Sequence, residues 1–163
     1  MTLYALLVWR FMQRKEKMTE SFDKAFDFIM RWETGGKAPD YNNGGLTNNP
    51  KDPGGLTKYG ISKRTHPNLA IESLTLDEAK TIYLSEYWNG CKCNDLPYPI
   101  DIAVFNLAIT SGCRTAINRL NESNSFCDYM IHTIKFYVDI KGQVLEGWLN
   151  RAFDLHETFT GRT

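Results

Sequence analysis

The sequence predicts a mainly α-helical fold that is interrupted, near its start, by one long irregular loop or short β-hairpin. Three observations predict this class. Apolar residues recur at helical spacing before residue 33, glycine and asparagine concentrate between residues 34 and 60, and helical patterns follow one another from residue 75 onward. At 163 residues, the chain suits one compact domain, or a small domain followed by a short second lobe.

The N-terminal segment is apolar over residues 2–12, which is far shorter than the roughly 20 residues that span a bilayer. Its basic residues lie near the end of the apolar run or after it, at Arg10, Arg14, Lys15 and Lys17, whereas a secretory signal places its charges first and ends in a small-residue cleavage site. We therefore interpret residues 1–17 as an extension without a clear signal peptide, without stable membrane insertion and without a part in the chemistry.

The first helix of the domain is expected to begin at a Ser21 cap and to run to about Trp32. Its apolar positions share one face, as expected of a helix packed on a core, and they are Phe22, Ala25, Phe26, Ile29 and Met30.

Residues 34–60 hold seven of the chain's twelve glycines and read as a turn-rich loop. A short repeat lies within this loop, because the residue types of 44–47, Gly-Gly-Leu-Thr, return at 54–57. Two turns of similar shape, forming a short hairpin, would explain the repeat.

The rest of the chain reads as successive helices. Thr75 and Glu78 fit a capping box that starts a helix ending near Trp88. Residues 100–109 are apolar almost all round, which suits a central buried helix that ends at Gly112. Further helices are expected near residues 114–121, 126–141 and 144–158. We divide the chain into a catalytic domain over residues 18–112 and a small helical lobe over residues 113–163.

Composition excludes several classes of function. The formal net charge is zero, which argues against nucleic-acid binding because that function normally shows a basic excess. The spacing of Cys91 and Cys93 is too tight for an easy mutual disulfide, and we interpret the four cysteines as mostly buried thiols. Three scattered histidines make no metal-ligand pattern, so neither a metal nor another cofactor is expected.

Glu33 is the first candidate for chemistry. It follows Phe22 by eleven residues, so at about 100° per residue it points within about 20° of the same direction. Apolar surroundings raise the pKa of a carboxyl group, as a general acid requires. The alternative is a helix-terminal glutamate that extends into water.

The second candidate is the stretch 52–62, in which Asp52 and Thr57 frame a Pro-Gly-Gly turn. Hydrolysis of a glycosidic bond needs one protonated carboxyl for the leaving oxygen and a second carboxylate that positions water or attacks the sugar. Glu33 and Asp52 would serve if the loop folds back over the helix end. Asp40 is closer to Glu33 in sequence and competes for this role, and an ordinary turn is the alternative for the whole stretch.

Glu33 with Gly35-Gly36, the stretch 52–62, Tyr87-Trp88, Leu96-Pro97 and residues 103–106 occur in an order that resembles glycoside hydrolase family 108. This is a lysozyme-like family of N-acetylmuramidases found in phage endolysins and bacterial secretion-activator proteins. The resemblance runs from about residue 22 to residue 112. Residues 147–151 are similar to a predicted peptidoglycan-binding domain that often follows in this family.

The resemblance implies a lysozyme-like fold and a muramidase that cleaves the β-1,4 bond between N-acetylmuramic acid and N-acetylglucosamine, with Glu33 as the acid and Asp52 and Thr57 holding water. The chain departs from the family pattern, because Thr34 separates Glu33 from the two glycines and the segment before Asp52 is about ten residues longer.

We assign substrate binding to four residues: Tyr59, Tyr87, Trp88 and Asn106. Core packing is the alternative for Trp88, and an internal hydrogen-bond network is the alternative for Asn106. Trp148 and Arg151 are interpreted as structural residues of the C-terminal lobe.

Peptidoglycan glycan strands are the expected partner. The protein is expected to be a monomer that is made in the bacterial or phage-infected cytoplasm and acts in the periplasm or cell wall. A non-hydrolytic peptidoglycan-binding or secretion-helper protein and a lytic transglycosylase are the rival interpretations.

Overall fold

The computed structural model describes residues 3–49, 54–140 and 145–161. The chain folds mainly into α-helices, as predicted, with a small antiparallel sheet after the first two helices. Within the described residues, none of the helices is both long and apolar enough to cross a membrane.

Helix α1 (Leu3–Thr34) is continuous, so the predicted start at Ser21 is wrong. Ser21 lies inside the helix, and its hydroxyl donates a hydrogen bond to Asp101 rather than capping backbone amides. The predicted apolar face of α1 is confirmed, because Phe22, Phe26 and Met30 are all buried.

A short helix α2 (Tyr41–Gly44) leads into a sheet of three strands, β1 (Thr47–Asn48), β2 (Leu56–Lys58) and β3 (Ile61–Ser62), in the order β1-β2-β3. Strand β1 pairs antiparallel with β2, with Thr47 opposite Thr57. The two copies of the repeated Gly-Gly-Leu-Thr sequence therefore meet in the sheet, which confirms the predicted hairpin.

Helix α3 (Leu76–Ile82) begins with the predicted capping box, in which the side chains of Thr75 and Glu78 each bind the other's backbone N–H. It continues as a π-helical turn over Tyr83–Trp88. Helix α4 (Ile100–Ser111) is the centre of the fold, since every residue from 101 to 108 is buried, and Gly112 ends it with a φ of 83°. The predicted capping box at the start of α3 and the predicted buried helix that ends at Gly112 are both confirmed.

Helices α5 (Cys113–Asn121), α6 (Phe126–Ile140) and α7 (Leu145–Thr160) complete the fold close to the predicted positions. The predicted last residue of the helix over 126–141 and the predicted first residue of the helix over 144–158 lie outside the described residues. The proposed boundary between residues 112 and 113 stays a prediction.

The prediction of mostly buried thiols is wrong for three of the four cysteines. Cys91 forms a disulfide with Cys113, which ties the segment after the π-helical turn to the start of α5. Cys127 is an exposed thiol, and Cys93 alone is a buried one. The sequence spacing excluded a bond between Cys91 and Cys93 but gave no sign that α4 would bring residue 113 back to residue 91.

Candidate active site

Glu33 lies in the last turn of α1, where the helix gives way to glycine. Gly35 adopts a φ of 67°, a left-handed conformation that suits glycine, and its N–H donates to the carbonyl of Arg31 at 3.0 Å. The neighbouring Thr34 is buried, and its hydroxyl donates to the carbonyl of Met30 at 2.7 Å and accepts from the N–H of Gly36 at 3.1 Å. The residue that departs from the family pattern thus closes the helix and holds the first turn of the loop.

The carboxylate of Glu33 is held by Arg151 of α7. Nη1 of Arg151 donates to Oε1 of Glu33 at 2.6 Å, and Nε of the same guanidinium donates to Oδ1 of Asn106 on α4 at 2.6 Å. The side chain of Arg151 is 8% exposed and that of Glu33 is 24% exposed. The carboxylate therefore lies between the two sequence-based alternatives: it is mostly shielded from water, and a buried guanidinium binds one of its oxygens.

The turn between β2 and β3 approaches Glu33 from the other side. Gly60 has a φ of 73°, and a β-carbon added there would lie 2.6 Å from the Tyr83 hydroxyl and 2.9 Å from Oε2 of Glu33. The carbonyl of Tyr59 accepts a hydrogen bond of 2.9 Å from that same hydroxyl. Glycine is required here both by the backbone angle and by the closeness of the carboxylate. The end of the predicted motif therefore does reach the helix-terminal glutamate.

Two tyrosines of the π-helical turn stand beside the carboxylate. Burial, followed by the negative charge of Glu33, raises the pKa of Tyr83 well above its ordinary value. Burial also raises the pKa of the half-buried Tyr87, with smaller contributions from the charges of Glu86 and Glu33. Both hydroxyls therefore stay protonated at neutral pH, and Tyr87, predicted to bind substrate, lies within electrostatic reach of Glu33.

Of the three residues considered as partners of Glu33, the structure describes Thr57 and Asp40 but not Asp52. Asp52 lies outside the described residues. Thr57 is half-buried in β2, and its hydroxyl donates to the carbonyl of Gly55 at 3.1 Å. Asp40 is exposed and accepts a hydrogen bond of 3.0 Å from the N–H of Asn43, so its carboxylate caps α2. The choice between Asp52 and Asp40 stays a prediction.

Three of the four predicted substrate-binding residues are buried. Trp88 is 1% exposed, packs edge-on against Phe22 and Phe105 at 5.3 Å, and donates its indole N–H to Asn94. Tyr59 is also buried. Asn106 accepts from Arg151, which matches the alternative of an internal hydrogen-bond network.

Arg151 is the residue of the candidate site that the sequence interpretation misses. The sequence predicts a structural role for it in the C-terminal lobe, yet it bridges Glu33 on α1 and Asn106 on α4. The sequence feature that could have pointed to it is the Gly-Trp-Leu-Asn-Arg run at residues 147–151, which lies in the predicted C-terminal lobe. Its partner lies 118 residues earlier, so no local pattern connects the two.

The solved structure of SagA from Brucella abortus has a similar fold, with a TM-score of 0.69 and 22% sequence identity over 88% of this chain and 95% of that chain. No curated protein sequence matches the chain. The sequence profile of the family described as glycosyl hydrolase 108 matches residues 26–112, which is more than half of the 163 residues and includes Glu33 and the glycine-rich loop. The chain therefore belongs to glycosyl hydrolase family 108, and this membership implies a glycosidase that hydrolyses peptidoglycan.

Proposed function

We propose that the protein is an N-acetylmuramidase that cleaves the β-1,4 bond between N-acetylmuramic acid and N-acetylglucosamine, with Glu33 as general acid. The observation that carries the proposal is the state of the Glu33 carboxyl group. One oxygen, Oε1, is fixed by the buried guanidinium of Arg151, while the side chain keeps 24% of its surface exposed. A carboxyl that is both held and accessible meets the positional requirement for proton transfer to a bound substrate.

The second oxygen of Glu33 is the one available to the substrate. Within the part of the chain that the structure describes, Oε2 accepts no hydrogen bond, and it faces the turn at Gly60. We assign the proton transfer to this oxygen. The proton passes from Oε2 to the glycosidic oxygen as the bond from that oxygen to the anomeric carbon of N-acetylmuramic acid breaks.

Water completes the reaction from the opposite face of the sugar. In the proposed mechanism, Asp52 takes a proton from this water and Thr57 helps to orient it, while the water oxygen bonds to the anomeric carbon. A separation of about 6.5–9.5 Å between the carboxyl groups of Glu33 and Asp52 belongs to inversion, and about 5–5.5 Å belongs to retention. We propose inversion. The position of Thr57 supports its proposed role in orienting the water, because it lies in β2, two residues before the turn that reaches Glu33.

The C-terminal lobe takes part in this site through α7. Because Arg151 holds Oε1, the lobe contributes to catalysis whatever further contact it makes with the cell wall. A role of residues 113–163 in binding peptidoglycan is part of the same proposal, and so is action in the periplasm or cell wall.

The identity of the released ends tests the proposal. Purified peptidoglycan is digested, the new reducing ends are reduced with borohydride, and the fragments are analysed by mass spectrometry. A muramidase leaves reduced N-acetylmuramic acid at every new end. Reduced N-acetylglucosamine ends would identify a different bond, anhydro ends would identify a lytic transglycosylase, and no release would identify a binding protein without turnover.

A further inference from the structure

A second cavity lies away from Glu33, between α1, the segment before α4 and the start of α4. Its volume is about 600 Å³, within the range of about 300–1,000 Å³ that small-ligand sites occupy. Aromatic, apolar and polar side chains line the cavity. Its lining includes Lys24, Trp88, Asn94, Asp95, Tyr98 and Asp101.

This cavity is distinct from the site around Glu33. Its α1 residues, Glu20, Ser21 and Lys24, precede Glu33 on the same helix. Ser21 is twelve residues before Glu33, which is about 18 Å at a rise of 1.5 Å per residue. No residue that lines the cavity forms a hydrogen bond with Glu33 or Arg151 in the described part of the chain.

Tyr98 forms a pre-organised aromatic surface at the cavity. Its side chain is 46% exposed, so the ring is accessible to a ligand. The ring of Phe159 on α7 packs against it in a T-shaped arrangement, with 6.3 Å between ring centroids. Pro97 and Pro99 flank Tyr98, and their rings restrict the backbone on both sides. Little conformational freedom is therefore left to lose when a ligand stacks on the ring.

The floor of the cavity is polar and ordered. The buried Asp101 accepts from the Ser21 hydroxyl through one oxygen and from the N–H of Ile102 at 2.8 Å through the other. Nε1 of Trp88 donates to Oδ1 of Asn94 at 2.7 Å, which fixes the amide so that its nitrogen points away from the indole. That nitrogen makes one long bond of 3.4 Å to Asn89 and carries a second hydrogen, which leaves a donor for a ligand carbonyl.

The charges of the lining favour an uncharged ligand. Lys24 is paired with Glu20 at 2.7 Å, and Asp95 and Asp101 add two further carboxylates. Among the lining residues, an anionic ligand such as a phosphate or a peptide carboxylate would meet three carboxylates and one ammonium group. The thiol of Cys93 also lines the cavity, but burial raises its pKa to about 12, so it is a neutral group rather than a nucleophile.

We propose that this cavity is a second glycan-binding site, in which an N-acetylated amino sugar stacks on Tyr98 and its acetamido carbonyl accepts from Asn94. The substrate class rests on the proposed function. Aromatic rings offer an apolar face to the C–H side of a sugar, and the fixed amide offers a directed hydrogen bond. A second site on the same polymer raises the local concentration of glycan at Glu33 without any change in the catalytic groups.

The indole N–H signal of Trp88 gives a site-specific test, because that group lies in the cavity and binds Asn94. The N-acetylglucosamine tetrasaccharide is titrated into ¹⁵N-labelled Glu33→Gln protein, which removes turnover, and into the same protein carrying Tyr98→Ala. We expect the Trp88 signal to shift in a saturable way, with an apparent Kd about tenfold weaker in the Tyr98→Ala protein. Phe153→Ala, at a residue of α7 that is 53% exposed, is the matched control and leaves the Kd unchanged.

Two results would overturn this proposal: a Trp88 signal that does not move at high tetrasaccharide concentration, or one that moves with the same Kd in the Tyr98→Ala protein. Either failure is separate from that of the proposed function, because bond cleavage is measured with Glu33 intact. Tyr98→Ala with Glu33 intact is expected to hydrolyse short soluble fragments at the wild-type rate and whole insoluble peptidoglycan more slowly.

Discussion

Arg151→Ala tests the central feature of the site, which is a glutamate, the proposed catalytic acid, held by an arginine from the last helix. The substitution removes two hydrogen bonds of 2.6 Å at once, one to Glu33 and one to Asn106. It also leaves Oδ1 of Asn106 without a donor in a residue that is 2% exposed. An effect on both stability and catalysis is therefore expected.

The contacts of Arg151 set the size of the effect. Removing one partner of a buried ion pair costs about 3–5 kcal/mol. About a quarter of the Glu33 side chain is exposed, so hydration of its carboxylate offsets part of that cost. We therefore expect the free energy of unfolding to fall by about 2–3 kcal/mol. A carboxyl that is no longer held loses its alignment with the glycosidic oxygen, which we expect to lower kcat by about 100-fold while KM stays nearly constant.

Urea unfolding and initial rates on solubilised peptidoglycan measure the two effects. Arg151→Lys separates charge from geometry, because an ammonium group has no planar fork with which to bind two acceptors together. This variant is expected to recover more of the stability than of kcat. Arg114→Ala, on an exposed residue of α5, is the control for loss of an arginine. Wild-type kcat in stable Arg151→Ala protein would refute the positioning role.

Three further predictions follow from individual residues. Gly60→Ala should lower stability by about 2 kcal/mol, from a left-handed backbone angle and a methyl group placed against Glu33, and should lower kcat at least about tenfold. Gly55→Ala, at a φ of 67° and with no described residue within 4 Å of the added β-carbon, isolates the cost of the backbone angle, and an equal loss of kcat in both variants would contradict the role given to the methyl group at Gly60. Under non-reducing conditions at neutral pH, a maleimide should label the exposed Cys127 rapidly and the buried Cys93 slowly or not at all, because burial raises the pKa of the Cys93 thiol to about 12. Rapid addition of two labels, measured as the mass of the intact protein, would disprove this. Hydrogen bonds at the cap of α3 lower the pKa of Glu78, so its ionised form stabilises the fold above the ordinary glutamate pKa of 4.5 and that contribution is lost as pH falls through the lower folded value. The stability deficit of Glu78→Gln should therefore shrink between pH 7 and pH 3 in urea unfolding, and a constant deficit would argue against the assignment.

Local patterns predicted the parts of the fold that depend on neighbouring residues. The capping box of α3 and the end of α4 at Gly112 involve groups within a few residues of each other, so residue type and spacing were enough. The repeated Gly-Gly-Leu-Thr sequence predicted a pairing that the register of Thr47 with Thr57 confirms.

Contacts between distant segments could not be predicted in this way. Ser21 has the residue type of a helix cap, but its hydroxyl serves Asp101, 80 positions later, while the helix continues through it. The disulfide between Cys91 and Cys113 and the pairing of Arg151 with Glu33 likewise depend on how helices pack. Part of the candidate site was predicted through the family motif, whereas the arginine that binds Glu33 emerged only from the arrangement of α7.

The rate of peptidoglycan hydrolysis by Glu33→Gln tests the account most directly. Glutamine keeps the size of the side chain and an oxygen that can accept from Arg151, but it has no acidic proton to give to the leaving oxygen. Loss of a general acid lowers rates by about 10²–10⁴-fold, and we predict a loss in that range, with Glu157→Gln on the exposed side of α7 at the wild-type rate. Release of reducing ends by folded Glu33→Gln protein within about threefold of the wild-type rate, far short of that loss, would contradict the assignment of Glu33 as the catalytic acid.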